Sequence, residues 1–141
     1  MSANVNVRWS WLKFMYWYTI LGAGGYGILI VAFPDFTQST TRCLMPFPVQ
    51  DPLIFGFMGS AMAAFAFLSL LALRAPLRFV PVLMLQLVYK TIWMIGVYIP
   101  LVMSGNNSLY ATLLAAIFVT YIIGDLIAIP FSYLFEKEPA Q

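Results

Sequence analysis

The chain has 141 residues, of which 62% are apolar and only 9% charged, with a formal net charge of +2 and a mean hydropathy of +0.90. Globular chains are roughly 45–50% apolar and about 25% charged, so this composition cannot clothe a soluble surface and points to lipid as the solvent. No basic run or polar helix face suits nucleic acid, the single cysteine, Cys43, excludes an internal disulfide, and the lack of histidine excludes His-ligated haem, chlorophyll or zinc and a Ser-His-Asp triad.

By length the chain is a single domain, 1–141. The first long apolar segment runs over about 14–33, after Arg8 and Lys13. It is too long for a signal-peptide core and no small-x-small cleavage site follows it, so it reads as a membrane span. A Pro-rich stretch, Pro34 to Pro52, then forms the one substantial loop, holding Asp35, Arg42 and Asp51. The second span covers 53–73 and the third 79–103, joined by the basic turn Arg74-Ala75-Pro76-Leu77-Arg78. The neutral turn Ser104 to Ser108 leads to the fourth span, 109–135, and a polar tail. The Asn106-Asn107-Ser108 tripeptide reads as a glycosylation sequon, but it sits in a minimal turn against the membrane. Each span is long enough for roughly 30 Å of hydrocarbon. Each lacks strand-like alternation, and four segments are too few for a barrel. The expected fold class is therefore all-α: an integral membrane, up-down four-helix transmembrane bundle.

Orientation follows from the Lys/Arg bias. One side would carry Arg8, Lys13, Arg74, Arg78 and Lys137, the other Arg42 alone. This predicts N-in/C-in, with Trp9, Trp11, Tyr16, Trp17 and Tyr18 as an aromatic belt at the inner interface. Small residues cluster in the first span (Gly22, Gly24, Gly25, Gly27) and the second (Gly56, Gly59, Ser60, Ala61, Ala63, Ala64). Such clusters let helices approach closely in lipid. They suit packing of these two helices on each other, or a homo-oligomer or partner membrane subunit. Pro100 and Pro130 fall inside spans and predict kinks.

Lys90 and Asp125 are the only ionisable groups well inside the spans, tyrosines apart. A charge at mid-bilayer costs about 2.5–3.5 kcal/mol on insertion scales. By helix rise both lie about 15–17 Å from the inner ends of the third and fourth helices, so a direct Lys90–Asp125 pair is expected. Gln86 lies one turn from Lys90, Tyr121 one turn from Asp125, and Tyr89 and Trp93 flank the lysine. Three roles stay open for this seam. It could pin helix register. It could bind the polar head of a lipid, quinone or other amphiphile through Gln86, Tyr89, Lys90, Trp93, Tyr121 and Asp125. It could also relay protons or ions. No metal cluster, phosphate loop or nucleophile–base set is present, so no catalytic residue, metal or cofactor is expected.

The runs Asp51-Pro52-Leu53-Ile54-Phe55-Gly56, Leu85-Gln86-Leu87-Val88-Tyr89-Lys90-Thr91-Ile92-Trp93 and Ile123-Gly124-Asp125-Leu126-Ile127-Ala128-Ile129-Pro130 together resemble small four-helix bacterial membrane proteins of the DoxX-like kind. The resemblance implies a four-helix bundle acting as an accessory membrane subunit, some such proteins being associated with sulfur- or quinone-linked oxidoreductase complexes. It transfers no catalytic residue. The resulting expectation is a non-catalytic accessory or ligand-binding subunit in the bacterial inner membrane, in contact with membrane lipids. A small proton-coupled transporter is the alternative.

Overall fold

Residues 7–135 are described in a computed structural model of the protein. They form helices joined by turns, with no strand among them. Four helices are long and apolar enough to cross a membrane: α1, Trp9–Ala32; α3, Pro52–Ala72; α4, Pro76–Met103; and α5, Leu109–Ala128. Two shorter helices complete the fold, α2 over Pro34–Leu44 and α6 over Phe131–Leu134.

Helix α2 corrects the expectation of a loop between Pro34 and Pro52. Pro34 occupies the first turn, where its missing N–H costs nothing, with Asp35 beside it and Arg42 in the last turn. Those charges complement the helix dipole at both ends. Its Thr37 and Thr41 face inward: Thr37 donates to the carbonyls of Leu29 and Phe33, both at 2.8 Å, and Thr41 meets the Tyr26 hydroxyl at 3.1 Å. Helix α3 then begins at a strong start signal, with Asp51 accepting from the N–H groups of Leu53 and Ile54. Such a cap is worth about 1 kcal/mol.

Contacts run between α1 and α3, α1 and α5, α4 and α5, and α3 and α4. The α1–α3 seam is built of small residues. A Cβ on Gly27 would lie 2.7 Å from the Gly59 carbonyl oxygen and 2.8 Å from the Ala63 nitrogen, and one on Gly24 would meet Ala66. Residue numbers rise on α1 as they fall on α3, so the two helices are antiparallel. Of the remaining glycines in these spans, Gly22 faces the Tyr121 hydroxyl on α5, while Gly25 and Gly56 face open space.

The prolines Pro100 and Pro130 act differently from one another. Ahead of Pro100 the chain winds Met94–Tyr98 as π-helix and continues to Met103. Such a turn re-routes the backbone bonds around the missing donor. At Pro130 the fourth helix ends outright: Ala128 is its last residue and Ile129 is extended, with φ −71° and ψ 121°. The residue before a proline is pushed out of the α region, so the fourth span stops at 128, not 135. A second π segment, Ile20–Gly24, lies within α1.

The expected aromatic belt also needs correction. Trp9, Trp11 and Trp17 are about half exposed, but Tyr16 is 0% exposed. Its hydroxyl donates to the Pro76 carbonyl at 2.7 Å, tying α1 to the start of α4.

Candidate functional site

The polar residues of α1, α4 and α5 meet in one buried cluster. Thr19, Gln86, Lys90 and Asp125 are each 3% exposed or less. Three of them form a hydrogen-bonded file. The Lys90 ammonium donates to Gln86 Oε1 at 3.0 Å, Gln86 Nε2 donates to Thr19 Oγ1 at 2.9 Å, and the Thr19 hydroxyl donates to the Met15 carbonyl at 2.9 Å. The file crosses from α4 to α1, and each member sits where the helix period directs it. Gln86 and Lys90 are four residues apart on one face of α4, as are Met15 and Thr19 on α1.

Aromatic rings complete the lysine's surroundings. Its Nζ lies 4.1 Å from the centre of the Tyr121 ring, 4.5 Å from Tyr89 and 5.6 Å from Phe118. All three are within the roughly 6 Å over which a ring face attracts a cation, an attraction that strengthens away from water. Lys90 is therefore held by one amide oxygen and three ring faces. Trp93, expected beside it, packs one turn further along on Phe118 and Tyr98, at 4.9 and 5.9 Å between ring centres. It supports the cage from behind.

The expected direct ion pair is not formed. Both carboxylate oxygens of Asp125 are buried without a hydrogen-bond partner, and the only other such atom among the described residues is the hydroxyl oxygen of Ser69. The cause lies in register. Tyr121 faces Lys90 and Phe118 faces Trp93, so α4 and α5 run antiparallel and Asp125 falls opposite Gln86. That places it one turn from Lys90, about 5.4 Å along the axis. Equal depth rested on a fourth helix running to Phe135. Because α5 ends at Ala128, Asp125 lies three residues from its end, about 4.5 Å by helix rise.

Tyr121 joins the cluster to α1. Its ring lies 4.4 Å from that of Tyr18 and its hydroxyl donates to the Tyr18 carbonyl at 3.2 Å, while the Tyr18 hydroxyl meets Thr120 Oγ1 at 2.9 Å. The structure thus brings together Gln86, Tyr89, Lys90 and Tyr121, leaves Asp125 adjacent but unbonded, and sets Trp93 one shell out. Sequence reasoning missed Thr19, Met15, Tyr18 and Phe118. Thr19 carried a usable signal, as a hydroxyl one turn from Met15 in an otherwise apolar span. Phe118 carried none.

Both π segments lie beside this cluster. Ile20–Gly24 begins directly after Thr19, and Met94–Tyr98 begins one turn after Lys90. Single π turns recur at functional sites because they re-aim side chains locally. Among the described residues no group of three or more Cys, Asp or Glu is placed to hold a metal.

The fold and the buried cluster define a polytopic helical membrane protein with an intramembrane polar centre. No protein-family model, curated protein or solved structure matches the chain.

Proposed function

We propose that the chain is an up-down four-helix transmembrane bundle with both termini on the cytoplasmic side. In this reading it works as a non-catalytic binding or accessory subunit in a bacterial inner membrane, in the manner of the DoxX-like proteins it resembles. Its ligand is an amphiphile of lipid or quinone type, recognised at the centre formed by Gln86, Tyr89, Lys90, Tyr121 and Asp125. The observation that carries the reading is the carboxylate of Asp125, fully buried and without a partner. Buried polar groups are nearly always satisfied, and a charged one left alone inside a bilayer is costly. A ligand whose polar head donates to it gains a charge-assisted hydrogen bond.

Gentle extraction of the full chain into lipid nanodiscs should co-purify a bound amphiphile, together with a stoichiometric partner subunit. Asp125→Asn should weaken ligand retention about 10–100-fold, as expected for loss of a hydrogen bond to a charged group worth about 1.5–3 kcal/mol. Retention unchanged in that variant, from a chain that purifies alone, would sink both halves of the proposal.

A small proton-coupled transporter is the second reading, favoured by the two π segments that adjoin Thr19 and Lys90 in a centre holding an unpartnered carboxylate. It requires pH-gradient-driven flux in reconstituted vesicles that disappears in Asp125→Asn. Persisting flux would remove the centre from transport.

The orientation has its own test. Arg8, Lys13, Arg74 and Arg78 gather at one end of the antiparallel helices and Arg42 lies at the other, while Lys137 falls outside the described residues. Cys43, exposed on α2, is the only cysteine in the chain. A membrane-impermeant maleimide should therefore label Cys43 from the periplasmic side of intact spheroplasts, and labelling only after lysis would reverse the assignment.

A further inference from the structure

Helices α1 and α5 border an open groove of about 370 Å³, in volume within the range of small-molecule sites, about 300–1,000 Å³. Trp11, Phe14 and Tyr18 line one wall, and Thr120, Ile123 and Gly124 the other. The groove is almost wholly apolar, and the hydroxyls of Tyr18 and Thr120 satisfy each other at 2.9 Å. Ile123 on its rim is 54% exposed and Phe14 53%. Both lie on helices long and apolar enough to cross a membrane, so in a bilayer the mouth of the groove would face lipid near the start of α1.

Asp125 is not part of the groove's lining and is fully buried behind it. Gly124, which lines it, directly precedes Asp125. The seam between α1 and α5 is closed by different means along its length. At the level of Tyr121 it is sealed by the Tyr18–Tyr121 ring contact and the bond from the Tyr121 hydroxyl to the Tyr18 carbonyl. At the level of Gly124 one wall has no side chain at all, and the Met15 thioether packs against the glycine. Met15 is 1% exposed and lines the groove as well. An unbranched thioether side chain re-packs more readily than any other apolar one. It is therefore the part of the groove's wall beside Gly124 that moves most readily.

We propose that this groove binds an amphiphile with a primary-amine head, its chain lying along Trp11, Phe14 and Ile123 and its ammonium reaching Asp125 past a displaced Met15. The inference rests on the binding reading above and narrows its ligand class. A carboxylate only accepts hydrogen bonds, so the head must donate. Lys90 already has Gln86 and three ring faces, so a head that accepts from the lysine is less demanded than one that donates to the aspartate. An apolar mouth within the membrane favours entry of a hydrocarbon-bearing amine over a hydrated metal ion.

The test uses the full chain in phosphatidylcholine nanodiscs, with thermal unfolding as readout. Dodecylamine should raise Tm by about 2–8 °C, as binding to the folded state alone requires, while dodecanol and dodecanoate should not. A parallel nanodisc containing phosphatidylethanolamine distinguishes a bilayer aminophospholipid from a free amine; a shift with either supports the proposal. Asp125→Asn should abolish the difference between amine and alcohol. Ile123→Trp, which fills the groove from its exposed rim without entering the core, should abolish the amine shift while the protein stays folded. Equal shifts for amine, alcohol and carboxylate would overturn the headgroup assignment yet leave amphiphile binding standing. No shift with any amphiphile, or an amine shift that survives Ile123→Trp, would overturn the groove.

Discussion

Replacing Gly27 with valine should be strongly damaging, costing about 3 kcal/mol of unfolding free energy. The added Cβ alone would lie 2.7 Å from the Gly59 carbonyl oxygen and 2.8 Å from the Ala63 nitrogen. Both are backbone atoms, so no rotamer change can relieve the clash and α1 must move away from α3. In lipid the two helices are held by close packing rather than by exclusion of water, and separation forfeits most of that attraction. Gly25→Ala and Gly56→Ala are the controls. Nothing lies within 4 Å of a Cβ at either position, and alanine in a helix is favoured over glycine by about 0.4–1 kcal/mol. Both should leave stability unchanged or slightly higher. Titration with a denaturing detergent reads all three. Equal losses in Gly27→Val and Gly25→Ala would mean that the seam is not where the antiparallel register puts it.

The second large effect has an unusual sign. Asp125→Val should stabilise the fold by about 1–3 kcal/mol, the cost of leaving a buried polar group unsatisfied. If Asp125 were instead salt-bridged to Lys90, removing it would cost about 3–5 kcal/mol, so the two arrangements differ in sign as well as size. The exchange Lys90→Asp with Asp125→Lys gives a second measure. A simple ion pair would tolerate the exchange. The cage of Tyr89, Phe118 and Tyr121 around position 90 is complementary to a cation and presents negative ring faces to a carboxylate. The doubly exchanged chain should therefore remain destabilised. Stability regained in it would restore the direct pair. A more stable Asp125→Val that has lost ligand retention would mark the aspartate as kept for function at the expense of stability, a common trade at binding sites.

These expectations depend on features of very different visibility in the amino-acid chain. That α1, α3, α4 and α5 cross a membrane follows from apolar content summed over about 20 residues, and no single contact can overturn it. The close approach of α1 to α3 was legible for a related reason. In lipid, runs of glycine and alanine have few uses other than helix contact, and Gly24, Gly27 and Gly59 serve that one. Gly22 shows the limit, since its partner proved to be Tyr121 on α5. The composition of the polar centre was legible too. Gln86, Lys90, Tyr121 and Asp125 are expensive in a bilayer and had to converge.

What the chain could not reveal by itself was who bonds to whom. That choice rests on an axial offset of one turn between α4 and α5, and on the end of α5 at Ala128 rather than Phe135. Helix rise converts three or four residues of error in a boundary into about 5 Å, more than the length of a hydrogen bond. Helix-period reasoning placed Lys90 and Asp125 on facing helices at one depth. Tertiary packing instead gave the lysine to Gln86 and three rings and left the aspartate alone. The same holds for Tyr16, an interfacial residue by pattern and a core residue in the fold, because only the returning turn at Pro76 supplies an acceptor for its hydroxyl. Membrane class, span number and the identity of the buried charges are sums over local composition, and the sequence determines them. The solitary carboxylate, the caged ammonium and the groove between α1 and α5 are differences of a few ångströms between helices, and only the tertiary structure decides them.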